Sequence, residues 1–160
     1  MYMKKFLMLL LTAALLSPLG AAAATELTGE QLAFRPAVMN FLRSEGFVPK
    51  VDTRDESIEF KKEGERYWIY VEESSPFYVT LQREGYSIEA DQAAKSKEIA
   101  NRVNRTKKAA KVYVSEASVT FVVEMFAPSA ESFEKVFYRT MEQVDAAHDQ
   151  FTEEYTSTED

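Results

Sequence analysis

The sequence predicts an α+β domain in which helices pack on one antiparallel sheet of about five strands, in the order α-βββ-α-ββ-α. Two observations carry that prediction. Between Ser57 and Arg83 three consecutive runs alternate apolar and polar residues with a period of two, and a fourth and fifth run do so between Lys111 and Met125. The period changes to 3.6 before the first of these runs, again around Asp91, and a third time after Pro128. The chain has no cysteine, so the core must hold by packing alone, which an apolar share of 46% allows.

The first helix is predicted to open at Thr28-Gly29-Glu30-Gln31, which has the form of a capping box, and to place Leu32, Val38, Met39 and Leu42 near one face. Pro36 is expected to kink or divide it, because proline lacks a donor and clashes one turn back. Gly46 supplies the stop. With Gly46 in the left-handed conformation, Phe47 lands on Leu42 in a Schellman ending.

Three strand candidates follow. Ser57–Lys61 sets Ile58 and Phe60 on one side, and the segment from Lys61 to Glu65 reads as a hairpin loop around Gly64. Arg66–Glu72 sets Tyr67, Ile69 and Val71 against Trp68 and Tyr70. After a turn at Ser74-Ser75-Pro76, Phe77–Arg83 sets Phe77, Val79 and Leu81 against Tyr78, Thr80 and Gln82.

Asp91 is the predicted N-cap of a second helix, whose stripe of Ala93, Ser96, Ile99, Ala100 and Val103 runs down to Asn104. Small side chains let such a helix lie close to a sheet. The strands Lys111–Val114 and Val119–Met125 form a hairpin. Pro128-Ser129 opens the last helix, with an apolar stripe of Phe133, Val136, Phe137, Met141, Val144 and Phe151.

Residues 1–24 read as a cleavable export signal. Lys4 and Lys5 precede an apolar run of about 11 residues from Phe6 to Leu16; Ser17, Pro18 and Gly20 break it, and Ala21–Ala24 offer a cleavage site before Thr25. The run is short of the ~20 residues that span a bilayer, although an uncleaved N-terminal anchor is the alternative reading. The expected organisation is a signal over 1–24, one domain over 25–151 and a flexible acidic tail over 152–160, in a periplasmic or secreted protein. Of 19 basic side chains, Lys4 and Lys5 leave with the signal, so 17 face 26 acidic ones and the net charge is −9. An acidic chain without a basic stripe argues against nucleic acid as partner. No membrane span is expected after signal cleavage.

The order of elements and one stretch carry a resemblance. Asn101 and Asn104 on a helix run into the basic segment Arg105-Thr106-Lys107-Lys108, then a strand Lys111-Val112-Tyr113-Val114, a turn, a strand Val119–Met125 and a closing helix. Over about residues 90–150 this resembles the YbjN family, a bacterial group with the type III secretion chaperone-like fold. The turn Ser115-Glu116-Ala117-Ser118 departs from that family in having no Asp/Gly-rich character. The resemblance implies a non-enzymatic protein-interaction domain, commonly dimeric, and makes Asn101 and Asn104 a family-like motif.

No residues spell a reaction. His148 is the only histidine, and one histidine without cysteine does not make an ordinary zinc or copper site unless carboxylates help. It reads as a stripe-edge residue of the last helix. Asp52, Asp55 and Glu56 cluster before the first strand and Glu72-Glu73 end the second; carboxylates close together can bind calcium, but the spacing and glycine of an EF-hand loop are missing, and they read as solvated acidic loops. No cofactor and no metal is expected. Asn104-Arg105-Thr106 matches a glycosylation triplet, but Asn104 reads as a left-handed residue ending its helix, with Asn101 fixing the same corner.

The candidate site is the sheet face away from the apolar stripes. It would carry Trp68, Tyr70, Tyr78, Tyr113, Val122 and Phe126. Contiguous aromatics on an open face mark an interaction site; the other readings are cross-strand pairing or a helix covering this face too. The expected function is an exported protein-binding or chaperone-like module that takes a protein or peptide partner, or its own second copy, on that face. The alternatives are a small periplasmic hydrolase or metal-dependent enzyme using His148 and the acidic loops, and a purely structural envelope protein.

Overall fold

The computed structural model describes residues 29–72 and 76–157, without the side chains of residues 30–32. The predicted signal segment, Thr28 of the capping box, Glu73 and the turn at Ser74-Ser75 lie outside the described residues, as do the side chains of Glu30, Gln31 and Leu32.

Over the described residues the fold is α+β, with three α-helices and one six-stranded antiparallel sheet. Helix α1 spans Gly29–Ser44 and is followed by β1 (Lys50–Val51), β2 (Ile58–Lys62), β3 (Glu65–Glu72) and β4 (Phe77–Ser87). A 3-10 turn, Ala90–Gln92, leads into α2 (Ala93–Thr106), then β5 (Ala110–Val114), β6 (Ser118–Ala127) and α3 (Ala130–Thr156). Across the sheet the order is β1-β2-β3-β4-β6-β5, so the second hairpin joins the meander through β6 and leaves β5 at the edge. The short strand β1 is not legible in the sequence: its two residues, both exposed, show no alternation, and only pairing of Lys50 with Glu59 and Val51 with Ile58 makes them a strand.

All three helices pack on one face. Phe34, Val38 and Leu42 of α1, Ile99 and Val103 of α2, and Phe133, Phe137, Met141, Val144 and Phe151 of α3 share one cluster with Ile58, Phe60, Tyr67, Ile69, Val79, Leu81, Val112, Phe121 and Val123. Phe60 stacks on Tyr67 at 5.4 Å and meets Phe137 at 5.8 Å. Burying each such ring is worth on the order of 2–3 kcal/mol. The small stripe of α2 is buried as its sequence predicts, whereas Val136 of α3 is exposed and Thr140 and Ala147 take places in the stripe.

The end of α1 is the predicted Schellman motif. Gly46 has a φ of 88°, the Phe47 N–H donates to Leu42 O at 2.9 Å, and the Gly46 N–H donates to Arg43 O at 3.1 Å. Four details correct the sequence reading. Helix α1 continues through Pro36 undivided. Asp91 lies inside the 3-10 turn, and the box that starts this segment is formed by Glu89 and Gln92. Helix α2 runs past Asn104 to Thr106 and ends on an extended Lys107, so Asn104 is helical rather than left-handed. Helix α3 runs on to Thr156, so the tail expected to fray from Thr152 is helical over its first five residues, held by Phe151 in the core and Tyr155 stacked on it at 5.9 Å; residues 158–160 lie outside the described residues.

Candidate functional site

Strand parity builds the outer face. Pairing sets Glu59, Trp68, Gln82, Val122 and Lys111 in one row across five strands, Tyr70, Thr80 and Glu124 in the next, and Glu72, Tyr78 and Phe126 beyond. Neighbours in each row project to the same side, opposite the core. None of these residues belongs to the hydrophobic cluster under the helices. All six predicted residues therefore share one face.

Their exposure differs. Phe126 is 68% exposed and Tyr113 50%, while Trp68, Tyr70 and Tyr78 are half-buried. Tyr78 and Phe126 are cross-strand partners with rings 5.2 Å apart. The Arg66 guanidinium lies 5.8 Å from the Trp68 ring. Val122 corrects the expectation of a contact residue, since it is only 3% exposed. Tyr113 stands opposite Thr120, yet its hydroxyl donates to Glu124 at 3.1 Å, so its side chain crosses the row that holds Val122. Partial burial, and then the Glu124 carboxylate, hold the Tyr78 and Tyr113 phenols above the ordinary tyrosine range.

Between the sheet and α3 lies a polar seam that the sequence did not announce. Leu81 and Arg83 both point inward from β4, and regular alternation would then turn Tyr86 outward. A register shift between Arg83 and Tyr86 pairs Tyr86 with Val119, whose side chain is in the core. Tyr86 is thereby aimed at α3. Its hydroxyl lies 2.5 Å from His148 Nε2 and 2.6 Å from Thr152 Oγ1. The His148 side chain is 14% exposed, meets the edge of Phe121 at 5.0 Å and places Nδ1 3.1 Å from Asp149 Oδ1.

One turn earlier, Asp145 receives the Tyr67 hydroxyl at 2.7 Å and Arg83 Nη1 at 2.9 Å, with Lys62 Nζ at 3.5 Å. Arg83 is 9% exposed and also faces Glu65 at 3.5 Å and Asp149 at 3.8 Å. Burial and the neighbouring Asp145 carboxylate push the Tyr67 phenol well above its ordinary range. Tyr86 and Thr152, with Ile88, Gln92, Phe151 and Tyr155, line a cavity of about 300 Å³ at the end of the seam. His148 is not in its wall; both ring nitrogens are engaged behind Tyr86. A period-two search misses this seam; the glycine at position 85, inside a strand pattern, is the signal that marks a bulge.

The acidic loop is occupied with its own construction. Asp52 accepts from Arg54 N at 2.9 Å and pairs with its guanidinium, which holds the Asp52 carboxyl down at about 2. Asp55 accepts from Ser57 N and Oγ at 3.1 and 2.7 Å, and Glu56 pairs with Arg35 at 3.2 Å. These partners are not those of His148, so the two halves of the hydrolase reading have no shared contact. Among the described residues no group of three or more His, Asp or Glu side chains is placed to hold a metal ion, and no helix is long and apolar enough to cross a membrane.

The two asparagines separate. Asn104 Oδ1 accepts from Val112 N at 2.8 Å and Nδ2 donates to Val112 O at 3.0 Å. Its amide thus pairs with the edge strand as a neighbouring backbone would. Asn101 is exposed, and its side chain makes no hydrogen bond among the described residues. The turn after β5 is built on serine: Ser115 Oγ accepts from Ala117 N and Ser118 N at 3.2 and 2.9 Å, which replaces the Asp/Gly chemistry. Comparison with protein-family models and with curated proteins finds no match to this chain.

Proposed function

We propose that the protein is an exported, non-enzymatic binding module that engages a polypeptide, either another protein or a second copy of itself, through the outer face of the sheet. One observation carries the proposal: two large apolar side chains, Phe126 and Tyr113, stand exposed on a face where Trp68, Tyr70 and Tyr78 are already grouped. Aromatics bury much area at a small rotamer cost, which is why such groups dominate interface energetics. Glu124 and Lys111 beside them supply a polar rim. The resemblance to the YbjN family supports the same reading, as does the predicted export signal for a periplasmic or secreted location.

The test is a double variant, Phe126→Ala with Tyr113→Ala. Neither side chain belongs to the core, so the fold and melting behaviour should persist. Crosslinking in intact cells with the wild-type protein as bait should give a dimer or a specific polypeptide partner that the variant loses. Identical sedimentation and identical crosslinked partners for both proteins would overturn the proposal.

A further inference from the structure

The seam beneath α3 contains a chain of hydrogen bonds whose protons can be counted. Asp149 Oδ1, His148, Tyr86 Oη, Thr152 Oγ1 and the His148 carbonyl follow one another at 3.1, 2.5, 2.6 and 2.8 Å. Each hydroxyl has a single hydrogen, and a carboxylate only accepts. Nδ1 must therefore carry a hydrogen toward Asp149, or two lone pairs would face each other. When the ring is neutral, Nε2 is bare. Tyr86 then donates to Nε2 while Thr152 donates to the His148 carbonyl, so three hydrogens serve four contacts and the one between the two hydroxyls is left without a hydrogen. When the ring carries both hydrogens, Nε2 donates to Tyr86, Tyr86 donates to Thr152, and Thr152 donates to the carbonyl.

We propose that Tyr86, His148 and Thr152 form a proton-sensitive switch, in which uptake of one proton by His148 reverses the Tyr86 hydroxyl and completes the chain to Thr152. From α3, Asp149 faces the group; from β4 come Tyr86 itself and Arg83, 3.8 Å from Asp149 and 2.9 Å from Asp145, which also meets Lys62 of β2 at 3.5 Å; β6 presents the uncharged ring of Phe121. The reversal reaches the surface, because Tyr86 and Thr152 stand in the wall of the 300 Å³ cavity. The Tyr86 hydrogen turned toward Nε2 in one state is turned toward Thr152 in the other, while Thr152 stays bonded to the His148 carbonyl.

The chain has a single histidine, so the nitrogen-15 resonances of its ring are unambiguous. At alkaline pH the expected spectrum has a protonated Nδ1 and a bare Nε2; at acidic pH both nitrogens are protonated. In Tyr86→Phe the Nε2 resonance of the neutral ring should move toward that of a bare nitrogen with no hydrogen-bond donor, since Tyr86 is its partner. A neutral ring with its hydrogen on Nε2 would overturn the switch, because Nε2 would donate in both states. An unmoved Nε2 resonance in Tyr86→Phe would overturn it as well. The tautomer is read on the wild-type protein and needs no variant to fold.

Discussion

Gly85 of β4 lies against the main chain of Val119 in β6, so close that a Cβ at position 85 would run into the Val119 carbonyl oxygen. The contact sits inside the register shift that turns Tyr86 toward α3. One glycine thus connects a strand irregularity to the whole Tyr86–His148–Thr152 chain. Backbone, unlike the far end of a side chain, has no cheap way to give.

Gly85→Ala is therefore expected to destabilise the protein by about 1–3 kcal/mol, the usual range for overpacking. It should also break the chain below it. Urea unfolding measures the first effect, and the ring-nitrogen spectrum of His148 measures the second. A variant with wild-type stability would show that β6 can move away from β4 at no cost.

The residues that alternate or recur are legible in the sequence, and those placed by a single contact are not. Period two in Arg66–Glu72 and Phe77–Arg83 reveals both faces of the sheet, because each side chain's direction follows from its neighbour's. Gly46 reveals the end of α1, since the Schellman geometry needs one left-handed residue and one apolar contact. Tyr86 is hidden because a bulge inverts the phase after Arg83, and a pattern search carries the old phase forward. Val122 sits on the predicted face but is buried in a row that the Tyr113–Glu124 hydrogen bond crosses, and no local pattern reports such a crossing. Asn104 stands at the corner where the sequence puts it but does something else there. Its helix goes on for two residues, and its amide serves the edge strand instead of its own backbone.

This side-chain pairing with the edge strand gives a second prediction. Asn104→Ala leaves the N–H and C=O of Val112 without their partner at the sheet edge, at a cost of about 1–3 kcal/mol. Hydrogen exchange should show lost protection at the Val112 amide, while the amides of β3 keep theirs. Equal exchange at Val112 in both proteins would mean that water replaces the asparagine without loss.

Asp145 offers a sharper contrast. Asp145→Ala removes the main partner of a guanidinium that is almost wholly buried, and Tyr67 loses its acceptor as well. Breaking a buried pair in this way costs about 3–5 kcal/mol, and Glu65 and Asp149 near Arg83 place this case at the lower end. Adding Arg83→Met should restore a large part of the loss, because no uncompensated charge then remains. Thermal unfolding of the single and double variants separates the two outcomes; a double variant less stable than Asp145→Ala would show that Arg83 matters through packing and not through its charge.

The tyrosines predict an alkaline limit to stability. Burial and the Asp145 carboxylate raise the Tyr67 phenol above its ordinary value of 10.0; partial burial and then nearby carboxylates raise Tyr70, Tyr78 and Tyr113, and the bond to Glu45 raises Tyr138. A raised value means that the folded chain holds these protons where the unfolded chain has released them. Between the two values the unfolded state binds fewer protons, so the free energy of unfolding falls as pH rises. The contribution is complete below about pH 10 and is lost progressively above it. The urea midpoint should therefore hold steady from about pH 8 to 9.5 and drop from there to about pH 11.5. Tyr67→Phe should be less stable than wild type below about pH 10, having lost a hydrogen bond, and should show a shallower alkaline decline. If the two proteins decline in parallel, Tyr67 ionises in the folded state as readily as in the unfolded one, and its bond to Asp145 does not form in solution.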